Sequence, residues 1–77
     1  MTEIIMPVFA MRISIMDDGS GSIGSNLKVG CKDPIYNAAM DAIESIILAH
    51  VCAGVDVLDP GYIEGIETAV EACGNNL

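Results

Sequence analysis

Basic residues are scarce in this chain of 77 residues, and tryptophan is absent. Three Lys and Arg residues stand against eleven Asp and Glu, and the formal net charge is −8. This sign disfavours direct binding to nucleic acids, whose phosphates are recognised by cationic side chains.

The cysteines at 31, 52 and 73 are odd in number and widely spaced. This pattern favours reduced thiols over a disulfide framework, so we expect a cytoplasmic protein.

Long apolar runs are also missing. The longest covers residues 46–49 and resumes after His50 for three residues, whereas a bilayer-spanning helix needs about 20. Glu3 stands where a signal peptide is positively charged. We therefore expect neither export nor a membrane partner.

The apolar content is nevertheless high for so short a chain. Hydrophobic residues make up 52% of it, with eight glycines in addition, above the roughly 45–50% of ordinary domains with Gly included. We expect one domain over residues 1–77, and a domain of this size buries only about 60% of its unfolded surface. The excess predicts self-association, most simply as a homodimer.

The first part of the chain predicts a β-hairpin over residues 8–32. Residues 8–16 alternate apolar and polar side chains, as a half-buried strand does. Residues 17–22 are Asp, Gly and Ser, which favour a turn. Residues 23–32 then form the return strand, and Pro7 marks the start of the first strand.

Two helices follow, over residues 34–53 and 60–73. Each begins with an Asp-Pro pair, in which Asp is the N-cap and Pro takes the first helical position. Each stretch runs up to a glycine, Gly54 or Gly74, the residue favoured for left-handed C-caps. The short linker makes the helices antiparallel neighbours, although residues 55–58 are an alternative third strand. The predicted fold is α+β, with the order ββαα, completed by oligomerisation.

No pattern in the chain predicts catalysis, a cofactor or a metal site. Residues 19–24 match the dinucleotide-binding pattern G-x-G-x-x-G, but that pattern requires a helix after the glycines, and here a strand follows. His50 and Cys52 point about 160° apart on a helix and cannot chelate one ion. His50 lies in the apolar arc, which favours a core or interface histidine.

The charge is concentrated in the second half. Residues 1–32 sum to zero, and residues 33–77 hold eight carboxylates without any Lys or Arg. Helical periodicity places five of these acids on outer helix faces, with Leu48 as an apolar anchor among them. These six candidate partner-binding residues are Asp41, Glu44, Leu48, Glu64, Glu67 and Glu71.

Two interpretations fit this acidic surface. It binds a partner protein with a basic surface, and in that case opposite charge speeds association and selects the partner. Alternatively, the acids only keep a hydrophobic subunit of a homo-oligomer in solution. In length, acidity and lack of catalytic motifs, the chain resembles the small inhibitors encoded by phages and mobile elements, including anti-CRISPR proteins. This resemblance implies a non-enzymatic inhibitor of a nucleic-acid-binding machine, and it transfers no functional residue because no motif is shared.

Overall fold

A computed structural model describes residues 1–75. The strands are β1 (Thr2–Met6), β2 (Met11–Ile15) and β3 (Gly21–Gly24), and the helices are α1 (Pro34–Cys52) and α2 (Pro60–Asn75). The architecture is therefore α+β, an antiparallel sheet followed by two helices. The last two residues of the predicted domain, 76 and 77, lie outside the described residues.

The sheet has three antiparallel strands in the order β1-β2-β3. Ile13 in the central strand pairs with Ile4 on one side and Ile23 on the other. A 3₁₀ turn over Pro7–Phe9, followed by Ala10, joins β1 to β2, and residues 16–20 join β2 to β3. In that second turn the Asp18 carboxylate accepts hydrogen bonds from the Ser20 hydroxyl and amide. The hydroxyl bond is the main cause that lowers the pKa of Asp18.

Both helices start as the Asp-Pro pairs predict. The Asp33 carboxylate accepts from two backbone N–H groups of the first turn of α1, at 2.8 and 3.3 Å. The Asp59 carboxylate does the same for α2, at 3.0 and 3.4 Å. These bonds satisfy N–H groups that have no partner within the helix. After α1 the backbone of Gly54 turns left-handed, with φ +87°.

The core lies between the inner face of the sheet and α1. Ile13 and Ile47 are fully buried there, and the buried apolar residues of α1 recur at every third or fourth position. Over residues 60–74, helix α2 contains no fully buried side chain and covers the core with a half-buried apolar face. The buried apolar side chains are Met6, Phe9, Met11, Ile13, Met40, Ile43, Ile47, Val51 and Val57.

Among the residues that the structure describes, one helix, α1, is long and apolar enough by length and composition to cross a membrane. Its mean hydropathy over 18 residues is 1.2, and 28% of that stretch is buried. The buried part faces the sheet, as it does in the core helix of a globular domain.

The predicted two-stranded hairpin is incomplete, because the sheet includes β1 as a third strand. Ile4 and Ile5 are adjacent apolar residues and break the alternation by which a strand is recognised. The predicted strands are also too long. Residues 7–9 form the 3₁₀ turn, and residues 25–32 form a loop that lies beside α1.

The helix bounds differ little from those predicted. Helix α1 ends one residue early, at Cys52, and α2 continues past Gly74 to Asn75. Gly74 is therefore a helical residue and not a C-cap. The alternative third strand at residues 55–58 does not form, and Val57 instead buries its side chain in the core.

Candidate functional site

The six predicted contact residues divide between the two helices, and the rest of the chain treats the two sets differently. The loop of residues 25–32 lies along α1 and supplies polar partners to its acids. It does not reach the acids of α2. The first set is Asp41, Glu44 and Leu48, and the second is Glu64, Glu67 and Glu71.

Glu44 does not lie on an exposed face, and the prediction that it does is wrong. Its residue is only 9% exposed, and its carboxylate accepts a hydrogen bond of 2.5 Å from the Ser25 hydroxyl. The Ser25 oxygen in turn accepts from the amide of Leu27 at 3.5 Å. Because the loop covers this flank of α1, the buried arc of the helix is wider than its apolar stripe. Glu44 holds the loop on the helix through Oε1 and is not part of an open acidic face.

Asp41 remains exposed, but it is already paired. The Lys28 ammonium donates a hydrogen bond to its carboxylate across 13 residues of sequence. This bond is the main cause that raises the pKa of Lys28 above its ordinary value, and the charges of Asp41 and Glu44 act in the same direction. Asp41 therefore presents a compensated charge to solvent.

Leu48 is half-buried against the sheet and is not a free anchor. A Cβ added to Gly21 of β3 would lie 2.9 Å from the Leu48 Cδ1 and 3.1 Å from the Ser14 carbonyl oxygen. The glycine thus allows α1 to approach β3 closely. Leu48 belongs to that helix–sheet contact.

The acids of α2 are exposed on one face of the helix. Glu64, Glu67 and Glu71 follow one another at spacings of three and four residues, which place them on neighbouring turns. No ion pair involving them is formed within residues 1–75, where Arg12 pairs with Glu3 at 3.9 Å and Lys28 with Asp41. We call these three residues the α2 carboxylate row.

His50 connects the two helices. Its Nδ1 lies 2.8 Å from the Tyr62 hydroxyl, and the two rings meet edge to face with centroids 5.6 Å apart. Partial burial raises the pKa of Tyr62. The histidine therefore has a packing and hydrogen-bonding role at the α1–α2 contact, as its place in the apolar arc predicted.

The described part of the chain offers little to a metal or a small molecule. Within residues 1–75 no three His, Cys, Asp or Glu side chains come together to hold an ion. Cys31, Cys52 and Cys73 are free thiols. A shallow open groove of about 380 Å³ lies between residues 7–10, residues 26–27 and Val70, and its lining has no titratable side chain.

Periodicity could not reveal the partners of the α1 acids. Ser25 and Lys28 lie 19 and 13 residues from the acids they meet, in a segment predicted to be a strand. A polar residue on a helix flank gives the same signal whether water or a loop covers it. The nearest sequence hint is the presence of Lys28 and Lys32, two of the three basic residues, immediately before the helix.

Comparisons with known proteins give no relative from which a role can be transferred: no protein-family model, curated protein or solved structure matches this chain.

Proposed function

We propose that this protein is a non-enzymatic binding module whose α2 carboxylate row engages a basic surface on a partner protein. The supporting observation is that Glu64, Glu67 and Glu71 are exposed and make no ion pair within residues 1–75. The acids of α1, in contrast, are used within the fold. A row of like charges at these spacings weakens the helix, so a complementary surface would relieve repulsion as well as gain attraction.

The partner class we propose is a cytoplasmic protein that holds DNA or RNA. Basic patches on proteins are the usual places where phosphates bind, and a compact acidic body competes there by charge. This is how an inhibitor of the anti-CRISPR type would act, and it follows the resemblance in size and charge. The protein itself, at −8, is not expected to bind nucleic acid.

Affinity capture with matched baits tests this proposal. The wild-type chain and its Glu64→Gln, Glu67→Gln, Glu71→Gln variant are immobilised, and proteins captured from the native host are identified by mass spectrometry. We expect the variant to lose the partner by at least about tenfold in affinity, equivalent to about 1.4 kcal/mol. The captured protein should also release its nucleic acid when the wild-type chain is added.

The matched control is the Asp17→Asn, Asp41→Asn, Asp56→Asn variant, which removes the same three charges from other places. It should capture the partner as well as wild type does. Equal loss in both variants would mean that net charge and not the α2 carboxylate row controls binding. Equal retention in both would reject the acidic contact altogether.

A second candidate function, a structural subunit of a homo-oligomer with a solubilising acidic coat, is favoured by a different observation. Nine large hydrophobic side chains within residues 1–75 are exposed, and those that adjoin one another would form apolar patches of the kind that mark protein contacts. The dependence of binding on salt distinguishes the two functions. The electrostatic screening length shortens to about 3 Å at 1 M salt, which weakens a contact between charges but not an apolar contact. The exposed side chains are Met1, Ile5, Val8, Met16, Val29, Ile35, Ile46, Val55 and Leu58.

A further inference from the structure

Strand β1 is at the edge of the sheet and is hydrogen-bonded on one side only. Its five residues, Thr2–Met6, pair with β2. No backbone hydrogen bond from Thr2, Glu3, Ile4 or Ile5 to a turn or loop is formed within residues 1–75, and Met6 leads into the 3₁₀ turn. A strand edge of this kind presents a row of N–H and C=O groups that a further strand can use.

The two edges of the sheet are not equally suited to pairing. The opposite edge, β3, has four residues, and Gly21 and Gly24 are its ends. Glycine is a poor strand former because it has no side chain to pack. Strand β1 contains Ile4, Ile5 and Met6 and lacks the Lys, Pro or bulge that protects natural edges.

Exposed apolar surface continues beside this edge. Ile5 is 47% exposed on the outer face of the sheet, and Val8, in the turn that follows β1, is 56% exposed. A partner strand would therefore cover apolar side chains as well as satisfy backbone groups.

We propose that a second copy of this chain pairs its β1 with this β1, antiparallel across a twofold axis, to form a continuous six-stranded sheet. The inference deepens the second candidate function, self-assembly, and does not depend on the α2 carboxylate row. The charge distribution favours a second copy as the partner. The formal charges of residues 1–32, which include the sheet, sum to zero, whereas the helical half carries the whole net charge of −8. The sheet edge is thus a place where two such acidic molecules meet without strong repulsion.

The side chains of β1 favour one register. With Ile4 on the twofold axis, all five residues pair, and Glu3 of one copy lies opposite Ile5 of the other. A parallel arrangement would instead place Glu3 of one chain beside Glu3 of the other, which is unfavourable because the two charges repel each other.

Arg12 makes the antiparallel register complementary in charge. It is the β2 partner of Ile5 and lies 3.9 Å from the Glu3 carboxylate of its own chain. In the dimer, Arg12, Ile5 and Glu3 of the second copy lie side by side on three neighbouring strands. The Cα atoms of Arg12 and that Glu3 are therefore two strand spacings, or about 10 Å, apart. Each Arg12 then has two carboxylates on its β1 side, that of Glu3 in its own chain and that of Glu3 in the second copy.

Charge substitutions at Ile5 test both the edge and the register. Ile5→Glu places a carboxylate across from Arg12 within the monomer, which is compatible with folding, but opposite Glu3 of the second copy in the dimer. Ile5→Lys places an ammonium opposite that same Glu3 and also across from Arg12 of its own chain, so the stability of the monomer is measured beside its dimerisation. The measurement is the molar mass by light scattering and sedimentation over a wide range of concentration, with protein purified through a C-terminal tag.

We expect a wild-type dimer of about 16 kDa, twice the 8.0 kDa chain. Ile5→Glu should raise the dissociation constant by about tenfold or more, since the like-charge contact occurs twice in a twofold dimer. Ile5→Lys should remain dimeric, and Glu3→Lys combined with Ile5→Glu should restore the dimer. Thermal unfolding of each variant confirms that the monomer still folds.

Three results would overturn the proposal. A wild-type monomer at all concentrations would reject self-assembly and the β1 contact together. A dimer that survives Ile5→Glu would reject only the β1 contact and place the interface elsewhere, such as the exposed Ile35 and Ile46 of α1. Equal dissociation by Ile5→Glu and Ile5→Lys would reject the charge-matched register. None of these results bears on capture through the α2 carboxylate row.

Discussion

The acids of α1 and the acids of α2 have the same chemistry and nearly the same helical spacing, yet they have different surroundings. Glu44 is buried under the loop of residues 25–32 and bonded to Ser25, and Asp41 is paired with Lys28. Glu64, Glu67 and Glu71 are exposed and unpaired within residues 1–75. The comparison teaches that acid count alone does not define a binding surface. A carboxylate is available to a partner only where it is exposed and not already paired or hydrogen-bonded within the fold.

The position of the basic residues explains this difference. All three occur in residues 1–32, and two of them, Lys28 and Lys32, lie in the loop that precedes α1. Lys28 of this loop therefore compensates Asp41 of the neighbouring helix, and no basic residue follows in the sequence to compensate α2. The net charge of −8 is consequently displayed unevenly, with α2 as its most exposed part.

The largest effect in this comparison is expected from Glu44. Replacing Glu44 with Ala removes the acceptor of the half-buried Ser25 hydroxyl, and a hydrogen bond to a charged group is worth about 1.5–3 kcal/mol. Chemical denaturation should show a loss of unfolding free energy of that size. The matched control is Glu64→Ala, which removes the same side chain from an exposed helical position and should change stability by less than about 0.5 kcal/mol. Equal effects would erase the distinction between the two helices.

A somewhat smaller effect is expected at the contact between α1 and the sheet. Gly21→Ala places a methyl group 2.9 Å from the Leu48 side chain and 3.1 Å from the Ser14 carbonyl oxygen. Because the end of the Leu48 side chain can shift and only the Ser14 carbonyl is backbone, relieving this overlap should cost about 1 kcal/mol of unfolding free energy, measured by denaturation with urea. The Gly21→Ala variant tests whether Leu48 packs against the sheet or is free to contact a partner.

Gly24 provides the control in the same strand. A Cβ at Gly24 meets no atom within 4 Å, so Gly24→Ala should be neutral or stabilising by up to about 1 kcal/mol. If Gly21→Ala proved as harmless as Gly24→Ala, Leu48 would be free to leave the sheet, and its assignment to the core contact would fail.

The sequence predicted what local chemistry determines. Asp33 and Asp59 each cap a helix because the capping oxygen and its N–H partners lie within three residues of one another. The turn around Gly19 follows from the same short range. Strand β1 was missed because its pairing with β2, and not an alternating pattern, defines it.

The candidate surface was only partly predictable for a related reason. The exposure of the α2 carboxylate row agrees with helical periodicity, because no other segment of the described chain covers that face. The burial of Glu44 depends on Ser25, 19 residues away. Periodicity within one helix contains no information on which loop will fold over its flank.

The central claim is that the α2 carboxylate row does not contribute to the stability of the fold. The variant with the smallest expected change in stability tests this claim most directly. The measurement is the unfolding free energy of the Glu64→Gln, Glu67→Gln, Glu71→Gln variant, determined in urea beside wild type. We predict equal stability or a gain of a few tenths of a kcal/mol, since like charges three and four residues apart cost about 0.2–0.5 kcal/mol per pair. A loss as large as that of Glu44→Ala would contradict the account, because the row would then be holding the fold together.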